Sequence, residues 1–375
     1  MKDERMVRLA KILVDYSIDL KPQEIVYIEI RGEETWNLAK ELIVQVAEKG
    51  GIPYWFYNDD SILRKWLLNS TEEQLVQFGK FHLSIMKLVN AYISLRGSDN
   101  PFDLSDVPEE KMNWYQRHFY KPVHGEERVK NKKWCVLRYP SNSMAQLAQT
   151  SKEDFEDFYY KVCTLDYSKM SLAMDPLVAL MKNTDKIRIV GEGTDLVFSI
   201  KGIPAIKCDG KLNIPDGEIF TAPVKTSVNG HVTFNIPQLY EGVVYENVSL
   251  EFQDGKIIKS FCSNNEKRLG QILNTDEGAS YIGEFALGIN PYIKKPMRET
   301  LFDEKIFGSI HLTPGACYDE ADNGNKSAIH FDLVLIQTGE YGGGEIYFDD
   351  RLIRKNGIFV HPELKDKLSE EALRT

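Results

Sequence analysis

Short apolar runs alternate with amphipathic segments in the first half of the chain. Four of these runs are rich in β-branched and aromatic residues and have the length of strands. They comprise residues 24–31, 52–58, 91–96 and 134–138. Residues 33–49 place apolar side chains on one face of a helix that ends at Gly50-Gly51, and residues 61–78 form a second predicted helix. Strands separated by helices predict a parallel sheet that is covered by helices on both faces.

From about Asp185 the pattern changes to short alternating runs separated by turn residues. Asp-Gly or Asn-Gly pairs, which favour tight hairpin turns, begin at residues 209, 216, 229, 254 and 356. The clearest hairpin joins VSLEF (248–252) to KIIKSF (256–261). These features predict an α+β domain with a curved, mostly antiparallel sheet. A chain of 375 residues is long enough for two domains, and we assign an α/β domain to residues 1–184 and a second domain to residues 185–375.

The composition narrows the class of protein. A formal net charge of -10 argues against nucleic acid and against an anionic membrane surface as partners. No apolar run approaches the ~18 residues that a membrane span needs, and the amphipathic first twenty residues do not have the pattern of a signal peptide. The five cysteines are scattered without metal-knuckle spacing, which indicates reduced thiols in a cytoplasmic protein. Because the first predicted strand is not followed by G-x-G-x-x-G, no dinucleotide cofactor is indicated.

Two ligand-type residues interrupt an apolar run near the end of the second domain. His330 and Asp332 lie two residues apart in a predicted strand, so their side chains point to the same face. An ionised carboxylate at such a depth is costly unless it is paired or bound to a metal. The pair can be a metal chelate, a histidine oriented by its carboxylate, or a plain buried hydrogen bond.

Three further residues of this kind occur in the same half of the chain. His311 lies in GSIHLTPG, Glu284 in YIGEFALGIN, and Glu218 directly after the Pro215-Asp216-Gly217 turn. Taken singly, either glutamate can equally be a solvent-facing acid. Together with His330 and Asp332 they form a set of three carboxylates and two imidazoles, which suits Zn, Co, Mn or Mg. Three carboxylates also supply enough charge for two ions ~3.5–4 Å apart, a pair that can polarise a carbonyl and deliver hydroxide at neutral pH.

The other histidines carry no functional expectation. His82 lies in the apolar run FHLSIMKLV and is predicted to be packed. His118 and His124 fall in residues 100–125, which are rich in proline, charge and aromatics and are predicted to form an irregular polar loop.

Four segments of the second domain resemble the M29 family of metallo-aminopeptidases, also called the aminopeptidase T or thermophilic aminopeptidase family. In chain order they read NIPDGEIFTAP, GEFALGIN, GSIHLTPGACY and NKSAIHFD. Looser similarity extends upstream to GEGTDLVFSI (191–200) and WCVLRYPSNSMAQ (134–146), so the resemblance covers most of the chain. It implies an aminopeptidase in which a metal-bound hydroxide releases amino-terminal residues from short peptides.

The resemblance also implies a metal site, a cellular location and an oligomeric state. It assigns two divalent ions (Zn, Co or Mn) to the second domain, with Glu284 as the bridging ligand. The five implied metal ligands are Glu218, Glu284, His311, His330 and Asp332. Tyr318 matches a tyrosine that the family places at the metal centre, where its phenol can hydrogen-bond a tetrahedral oxyanion. The family is cytoplasmic and homodimeric, and its enclosed site restricts substrates to short peptides. The segment between His311 and His330 is shorter than in some members, which leaves the substrate preference open.

Two other functions remain open at this point. His311, His330 and Asp332 alone form a two-histidine, one-carboxylate set, which suits mononuclear non-haem Fe(II) with open positions for oxygen. Proteins that resemble the M29 peptidases include dioxygenases that cleave hydroxylated pyridine rings with one iron on a related fold. Such a site has no obvious need for Glu218 or Glu284. A non-catalytic metal- or peptide-binding protein is the third possibility, although structural zinc usually takes four ligands, often thiolates.

Overall fold

The computed structural model of the chain describes residues 3–97, 100, 102–240 and 242–374. Its α-helices are α1 Glu4–Lys11, α2 Trp36–Glu48, α3 Asp60–Asn69, α4 Glu72–Leu88, α5 Glu109–Tyr115, α6 Val129–Asn131, α7 Asn142–Leu147, α8 Lys152–Cys163, α9 Tyr167–Lys182, α10 Glu266–Leu273, α11 Thr300–Asp303 and α12 Glu370–Arg374. Two π-helical segments, Ile12–Ser17 and Gln116–Arg128, continue α1 and α5. In the described part of the chain, none of the helices is both long and apolar enough to cross a membrane.

Most strands of the chain are short and lie in its second half. They are β1 Ile25–Arg31, β2 Ile52–Asn58, β3 Ala91–Arg96, β4 Lys133–Arg138, β5 Lys186–Gly191, β6 Thr194–Ser199, β7 Ile206–Cys208, β8 Asn213–Ile214, β9 Glu218–Thr221, β10 Asn229–Thr233, β11 Gln238–Tyr240, β12 Val243–Tyr245, β13 Ser249–Gln253, β14 Lys256–Phe261, β15 Ile282–Gly288, β16 Ser309–Pro314, β17 Leu333–Ile336, β18 Glu345–Phe348, β19 Arg351–Lys355 and β20 Ile358–Phe359.

The chain divides into two compact units. The N-terminal unit comprises the residues up to Thr164 together with Gly210–Pro215, and the C-terminal unit comprises Leu165–Asp209 and the residues from Asp216 onward. The sequence-based boundary at residue 185 therefore differs from the structure, because α9 packs within the C-terminal unit. There Ser171 donates a hydrogen bond of 2.6 Å to Asp209, and the Tyr167 hydroxyl accepts one of 3.1 Å from the backbone N–H of Asp216. Hydrophobic periodicity does not indicate which unit a helix contacts.

The N-terminal unit contains the predicted parallel sheet. Its five strands run in the order β2-β1-β3-β4-β8, and every pair is parallel. The strand β1 is buried along most of its length, as expected for a central strand with both faces covered. The helix α2 buries Leu38, Ala39, Leu42 and Val46, which largely matches the apolar face that its spacing predicts.

The prediction of an irregular loop at residues 100–125 is wrong for most of that segment. Residues 109–131 are helical, and Met112, Tyr115, Phe119 and Val123 pack into the core cluster of the N-terminal unit. These four residues recur at intervals of three or four, a helical pattern that Pro122 and the many charges obscured. As a consequence His124 is only 6% exposed rather than part of a polar loop. Pro101 lies outside the described residues.

The C-terminal unit is built from antiparallel sheets, as predicted. One sheet has eight strands in the order β14-β13-β10-β6-β5-β18-β19-β20, and a five-stranded sheet has the order β17-β16-β15-β9-β7. Phe198 of the larger sheet and Phe285 of the smaller one meet edge to face, with ring centroids 5.1 Å apart. The predicted hairpin is β13-β14, and both Asp254 (φ 49°) and Gly255 (φ 85°) adopt the positive φ that its tight turn requires.

Asp303, at the end of α11, gives the C-terminal unit a pH-dependent weakness. The carboxyl group is buried and accepts a hydrogen bond of 2.6 Å from the backbone N–H of Met297. Burial raises its pKa from 3.8 to about 8, and the carboxylate of Glu299 adds to the rise. Because the folded state then holds a proton that the unfolded state releases near its ordinary pKa, the contribution of Asp303 to stability is greatest at low pH and decreases as pH rises toward 8.

Replacing Asp303 with asparagine should remove this loss. Asp303→Asn keeps an oxygen for the Met297 N–H but cannot ionise, so its melting temperature relative to the unmodified protein should increase between pH 5 and pH 8. Thermal unfolding at several pH values measures the difference. Asp350→Asn, on a side chain that is 82% exposed, is the control and should show no such trend. A constant difference across the pH range would contradict the buried-acid argument.

Candidate metal centre

Three neighbouring strands of the five-stranded sheet carry the first three predicted ligands on one face. Glu218 begins β9, Glu284 lies in the central strand β15, and His311 lies in β16. In the antiparallel register Gly288 pairs with Glu218 and Ala286 pairs with His311. Alternate residues of a strand share a face, so Glu284, Ala286 and Gly288 of β15 point to one side of the sheet. His311 and Glu218 pair with Ala286 and Gly288, and their side chains therefore point to the same side as Glu284.

Gly288 allows another segment of the chain to approach this face closely. A Cβ atom at Gly288 would lie 2.3 Å from the carbonyl oxygen of Ile306 and 2.5 Å from the Ser309 hydroxyl. The glycine is therefore required by the close passage of the segment that precedes β16. That segment carries Lys305 to the side chain of Glu218, with which it forms an ion pair of 2.8 Å.

His330 and Asp332 reach the site from an extended segment in front of β17. The predicted strand begins only at Leu333, so both residues precede the ladder, and His330 makes a single bridge to Gly315. The Nδ1–H of His330 donates to the carbonyl oxygen of Ala316 at 2.9 Å. This hydrogen bond fixes the ring and leaves Nε2 as the free lone pair of the neutral imidazole.

All five predicted ligands converge. The Nε2 atom of His311 lies 3.3 Å from one oxygen of Glu284, and the Nε2 atom of His330 lies 3.3 Å from the other oxygen. Asp332 Oδ1 is also 3.3 Å from His330 Nε2, and Glu218 Oε2 is 3.6 Å from His311 Nδ1. Glu284 therefore lies between the two imidazoles, which is the geometry expected of a bridging carboxylate.

Two atoms of the cluster fit an absent cation. Glu218 Oε2 and His311 Nδ1 are buried and have no hydrogen-bond partner among the described residues. Buried polar atoms are almost always paired, so two such atoms facing each other are suited to hold a bound cation. Carboxylate and imidazole donors suit a divalent metal ion of the zinc, cobalt or manganese type. Donor atoms of Glu284, His330 and Asp332 also lie within 4.8 Å of one another, close enough to share an ion.

Electrostatics within the cluster favours positive charge. Burial alone raises the pKa of Glu284, but His311 and His330 outweigh it and lower that pKa to about 2. Burial lowers the pKa of His311, yet Glu218 and Glu284 more than compensate and raise it to about 9. Burial likewise lowers the pKa of His330, but Asp332 and Glu284 outweigh this effect and raise that pKa to about 10. The carboxylates thus attract either protons or metal ions to these imidazoles.

Tyr318 borders the cluster on its open side. Its ring lies against His330, with centroids 4.9 Å apart, and against Phe220 at 5.5 Å. The side chain is 48% exposed. Burial and the carboxylates of Glu284 and Asp332 raise the pKa of its phenol, which therefore keeps its proton at neutral pH. The neighbouring Cys317 instead forms hydrogen bonds with Asp322 and the Asn325 carbonyl within its own loop.

A family model described as thermophilic metalloprotease (M29) matches residues 2–342 of the chain. The chain belongs to this family. Aminopeptidase PepS of Streptococcus thermophilus is 25% identical over 88% of the chain and 92% of its own length. Aminopeptidase T of Thermus thermophilus is 26% identical over 88% of the chain and 91% of its own length. Membership of a metalloprotease family implies the use of a divalent metal.

Solved structures share the fold. Wild-type AmpT from Thermus thermophilus superposes with a TM-score of 0.79 at 21% identity, covering 95% of this chain and 99% of that one. A 2,5-dihydroxypyridine dioxygenase from Pseudomonas putida KT2440 gives a TM-score of 0.62 at 11% identity, covering 96% and 98%. At these identities the two structures establish the fold of this M29 metalloprotease and not its chemistry.

Sequence reasoning missed the lysine that supports the cluster. Lys305 is 1% exposed, and its ammonium group donates to Glu218 at 2.8 Å and to Glu304 at 2.5 Å. Cys208, Asp216 and Glu218 form a second close group of ligand-type residues, and Asp216 and Cys208 are among the groups that raise the pKa of Lys305. The ammonium of Lys305 therefore already supplies the positive charge on this side of Glu218. The only sequence signal was a lysine that follows two acids in the segment FDEKIFGSI.

Thr313 orients Asp332 and was also missed. Its hydroxyl donates a hydrogen bond of 2.6 Å to Asp332 Oδ1, and the residue is completely buried. Thr313→Val keeps the shape but removes the donor, so metal affinity should fall by about 10- to 100-fold, the usual effect of losing such a supporting hydrogen bond. Competition with a chromogenic chelator measures the affinity.

Thr221→Val is a matched control for this prediction. Thr221 is equally buried in β9 of the same sheet, but its hydroxyl has no hydrogen-bond partner among the described residues. Its replacement should leave the metal affinity unchanged. Equal affinities of the Thr313 and Thr221 variants would show that the Thr313 hydroxyl does not support the centre.

Proposed function

We propose that this protein is an aminopeptidase with two divalent metal ions, held by Glu218, Glu284, His311, His330 and Asp332. The position of Glu284 carries the proposal. Its two oxygens each face a different imidazole at 3.3 Å, so that one carboxylate can join two ion positions. Glu284, His311 and Glu218 would hold one ion, and Glu284, His330 and Asp332 would hold the other.

The charge of the cluster is consistent with two ions. Glu218 and Glu284 are 4% and 3% exposed and cannot remain ionised there without nearby positive charge. Lys305 compensates one oxygen of Glu218, while the other oxygen faces the unpartnered nitrogen of His311. The three carboxylates carry more negative charge than the ammonium of Lys305 neutralises. The positive charge of two divalent ions (Zn, Co or Mn) would compensate the excess.

The residues around the centre have separable roles in peptide hydrolysis. Divalent ions bound there would polarise the substrate carbonyl and bring the pKa of a water molecule close to neutrality. The Ala316 carbonyl and the Thr313 hydroxyl hold His330 and Asp332 in orientation. Tyr318, exposed beside His330, donates its phenolic hydrogen to the negative charge that develops on the carbonyl oxygen.

The names of the relatives support the choice of substrate. Aminopeptidase PepS and aminopeptidase T are similar to this chain over most of its length. We extend their activity to this protein as the release of amino-terminal residues from short peptides. We also propose a cytoplasmic homodimer, supported by the family resemblance and by five cysteines that are all free thiols. Light scattering of the purified protein tests the dimer.

The alternative of a mononuclear iron dioxygenase has less support. The dioxygenase from Pseudomonas putida shares the fold at 11% identity, which carries no chemistry over to this chain. A site made of His311, His330 and Asp332 alone would leave Glu218 and Glu284 buried in the cluster without a role. Metal analysis that finds one iron per chain, together with oxygen uptake, would favour the dioxygenase.

Glu284→Gln and His330→Ala test the dinuclear proposal. Both variants should lose hydrolysis of aminoacyl-nitroanilides by on the order of a hundredfold or more in a reconstitution series with Zn, Co and Mn, because each loses a ligand. Circular dichroism should show an unchanged fold. Glu251→Gln removes a carboxylate from an exposed ion pair with Lys259 and is the control. Full activity of Glu284→Gln would rule out a bridging role.

Tyr318→Phe tests the role of the phenol. The variant keeps the ring contact with His330 but has no hydrogen to donate, so kcat should fall by about 10- to 1000-fold with little change in KM. Steady-state kinetics on one nitroanilide separate the two constants. Tyr347→Phe, which removes a hydroxyl that donates to Glu345 in β18, should leave both unchanged. An increase in KM alone would assign Tyr318 to substrate binding instead.

A further inference from the structure

The edge strand β2 exposes a group of large apolar side chains. It forms one end of the parallel sheet of the N-terminal unit and has the sequence IPYWFYN. Five large apolar side chains on or beside the strand are between 41% and 57% exposed: Trp36, Ile52, Tyr54, Trp55 and Tyr57. The ring of Trp36 meets that of Tyr57 edge to face, with centroids 5.9 Å apart. Exposed apolar surface of this extent on a folded protein marks an interaction site.

The backbone of β2 also presents hydrogen-bonding groups to solvent. Ile52 donates its backbone N–H toward β1, to the carbonyl oxygen of Glu24 at 2.9 Å. Since the direction of these groups alternates along a strand, Pro53, Trp55 and Tyr57 direct theirs away from the sheet. No strand of the described residues lies on that side of β2. Pro53 lacks an N–H, and such a residue is tolerated only where that side of an edge strand has no neighbour.

The other sheet edges formed by the described residues are protected against pairing. The side-chain amides of Asn235 and Gln238 hydrogen-bond the backbone of the edge strand β17 at 2.8 to 3.0 Å. The edge strand β14 carries Lys256 and Lys259, and the edge strands β7, β8, β11, β12 and β20 have only two or three residues each. Cover, charge and short length are the usual ways in which edge strands avoid pairing. In contrast, β2 has seven residues, and none of them is charged.

The outward-facing groups of β2 are complementary to those of a second copy. When two β2 strands lie antiparallel with Trp55 at the twofold axis, the two Trp55 residues exchange both of their N–H···O bonds. The N–H of Tyr57 in each copy then donates to the Pro53 carbonyl of the other copy. Every outward N–H of the strand is therefore satisfied, and the missing N–H of Pro53 does not interrupt the pairing.

Charge and area also suit a second copy. The antiparallel register brings Asp59 and Asp60, which follow β2, toward Lys49, which precedes β2 in the other copy. A fully buried aromatic side chain removes about 150–250 Å² from solvent, so each half-exposed side chain would contribute about 100 Å². The five together give about 500 Å² per copy and about 1,000 Å² for the pair, which is the area that a specific interface needs.

We propose that β2 pairs with β2 of a second copy of this chain, antiparallel about Trp55, and joins the two parallel sheets into one continuous sheet. Trp55 and Tyr57 pack on one face of the joined strands, and Ile52 and Tyr54 pack on the other. This surface is the interface of the homodimer proposed above. The inference rests on that dimer and not on the metal centre or the peptidase chemistry.

Sedimentation velocity of the full-length protein at several concentrations tests the interface with two variants. Trp55→Lys places a charge at the centre of the strand pair, and Tyr57→Pro removes an outward N–H without breaking a bond within the sheet. Each should raise the dissociation constant of the dimer by on the order of a hundredfold, as the loss of a central contact does. Circular dichroism should show an unchanged fold. Phe261→Lys, on a 51% exposed aromatic residue of the edge strand β14, is the control and should remain dimeric.

Trp55→Cys tests the register. Across the twofold axis the two Cα atoms would lie about 5.5 Å apart, a distance that a disulfide spans. Mild oxidation should therefore produce a covalent dimer on a non-reducing gel. Tyr54→Cys is the control, because its counterpart in the other copy lies on a diagonal about 7–8 Å away and should not be cross-linked. The unmodified protein, whose five cysteines are free thiols, gives the background.

The outcomes separate this interface from the dimer itself. An unmodified protein that sediments as a monomer at every concentration would overturn both. A dimer that persists in the Trp55 and Tyr57 variants would overturn the β2 interface alone and leave the dimer to another surface. Monomeric variants without a cross-link through Trp55→Cys would overturn the antiparallel register about Trp55.

Discussion

The burial of Glu218 and Glu284 within an antiparallel sheet is the constraint on which the C-terminal unit depends. Ionised carboxylates at that depth require positive charge close by. The fold supplies part of it through Lys305 on one side and places two imidazoles on the other. One nitrogen and one oxygen of this cluster still have no hydrogen-bond partner among the described residues. Divalent ions would supply the positive charge that the buried carboxylates require. Under the proposed function, metal binding by these residues would stabilise the folded sheet.

The surrounding residues serve this constraint. Gly288 has no side chain, and the segment that carries Lys305 can pass close to the sheet. The Thr313 hydroxyl donates a hydrogen bond to Asp332, and the Ala316 carbonyl accepts one from His330. Each bond fixes the orientation of the side chain. Such supporting contacts determine the orientation of the ligand-type side chains. These side chains come from four separate segments of the chain and still lie within 3.6 Å of Glu284 or of a neighbour in the cluster.

The sequence by itself determined the parallel and antiparallel sheets, the β13-β14 hairpin and the five ligand-type residues that converge. Each of these follows from local information: periodicity, turn dipeptides, or a polar residue within an apolar run. Only the tertiary structure decided that Lys305 contacts Glu218, that α9 belongs to the C-terminal unit, and that residues 109–131 form a buried helical segment. Which distant residues meet depends on how the elements pack, and hydrophobic periodicity reports that a side chain is buried without reporting its partner.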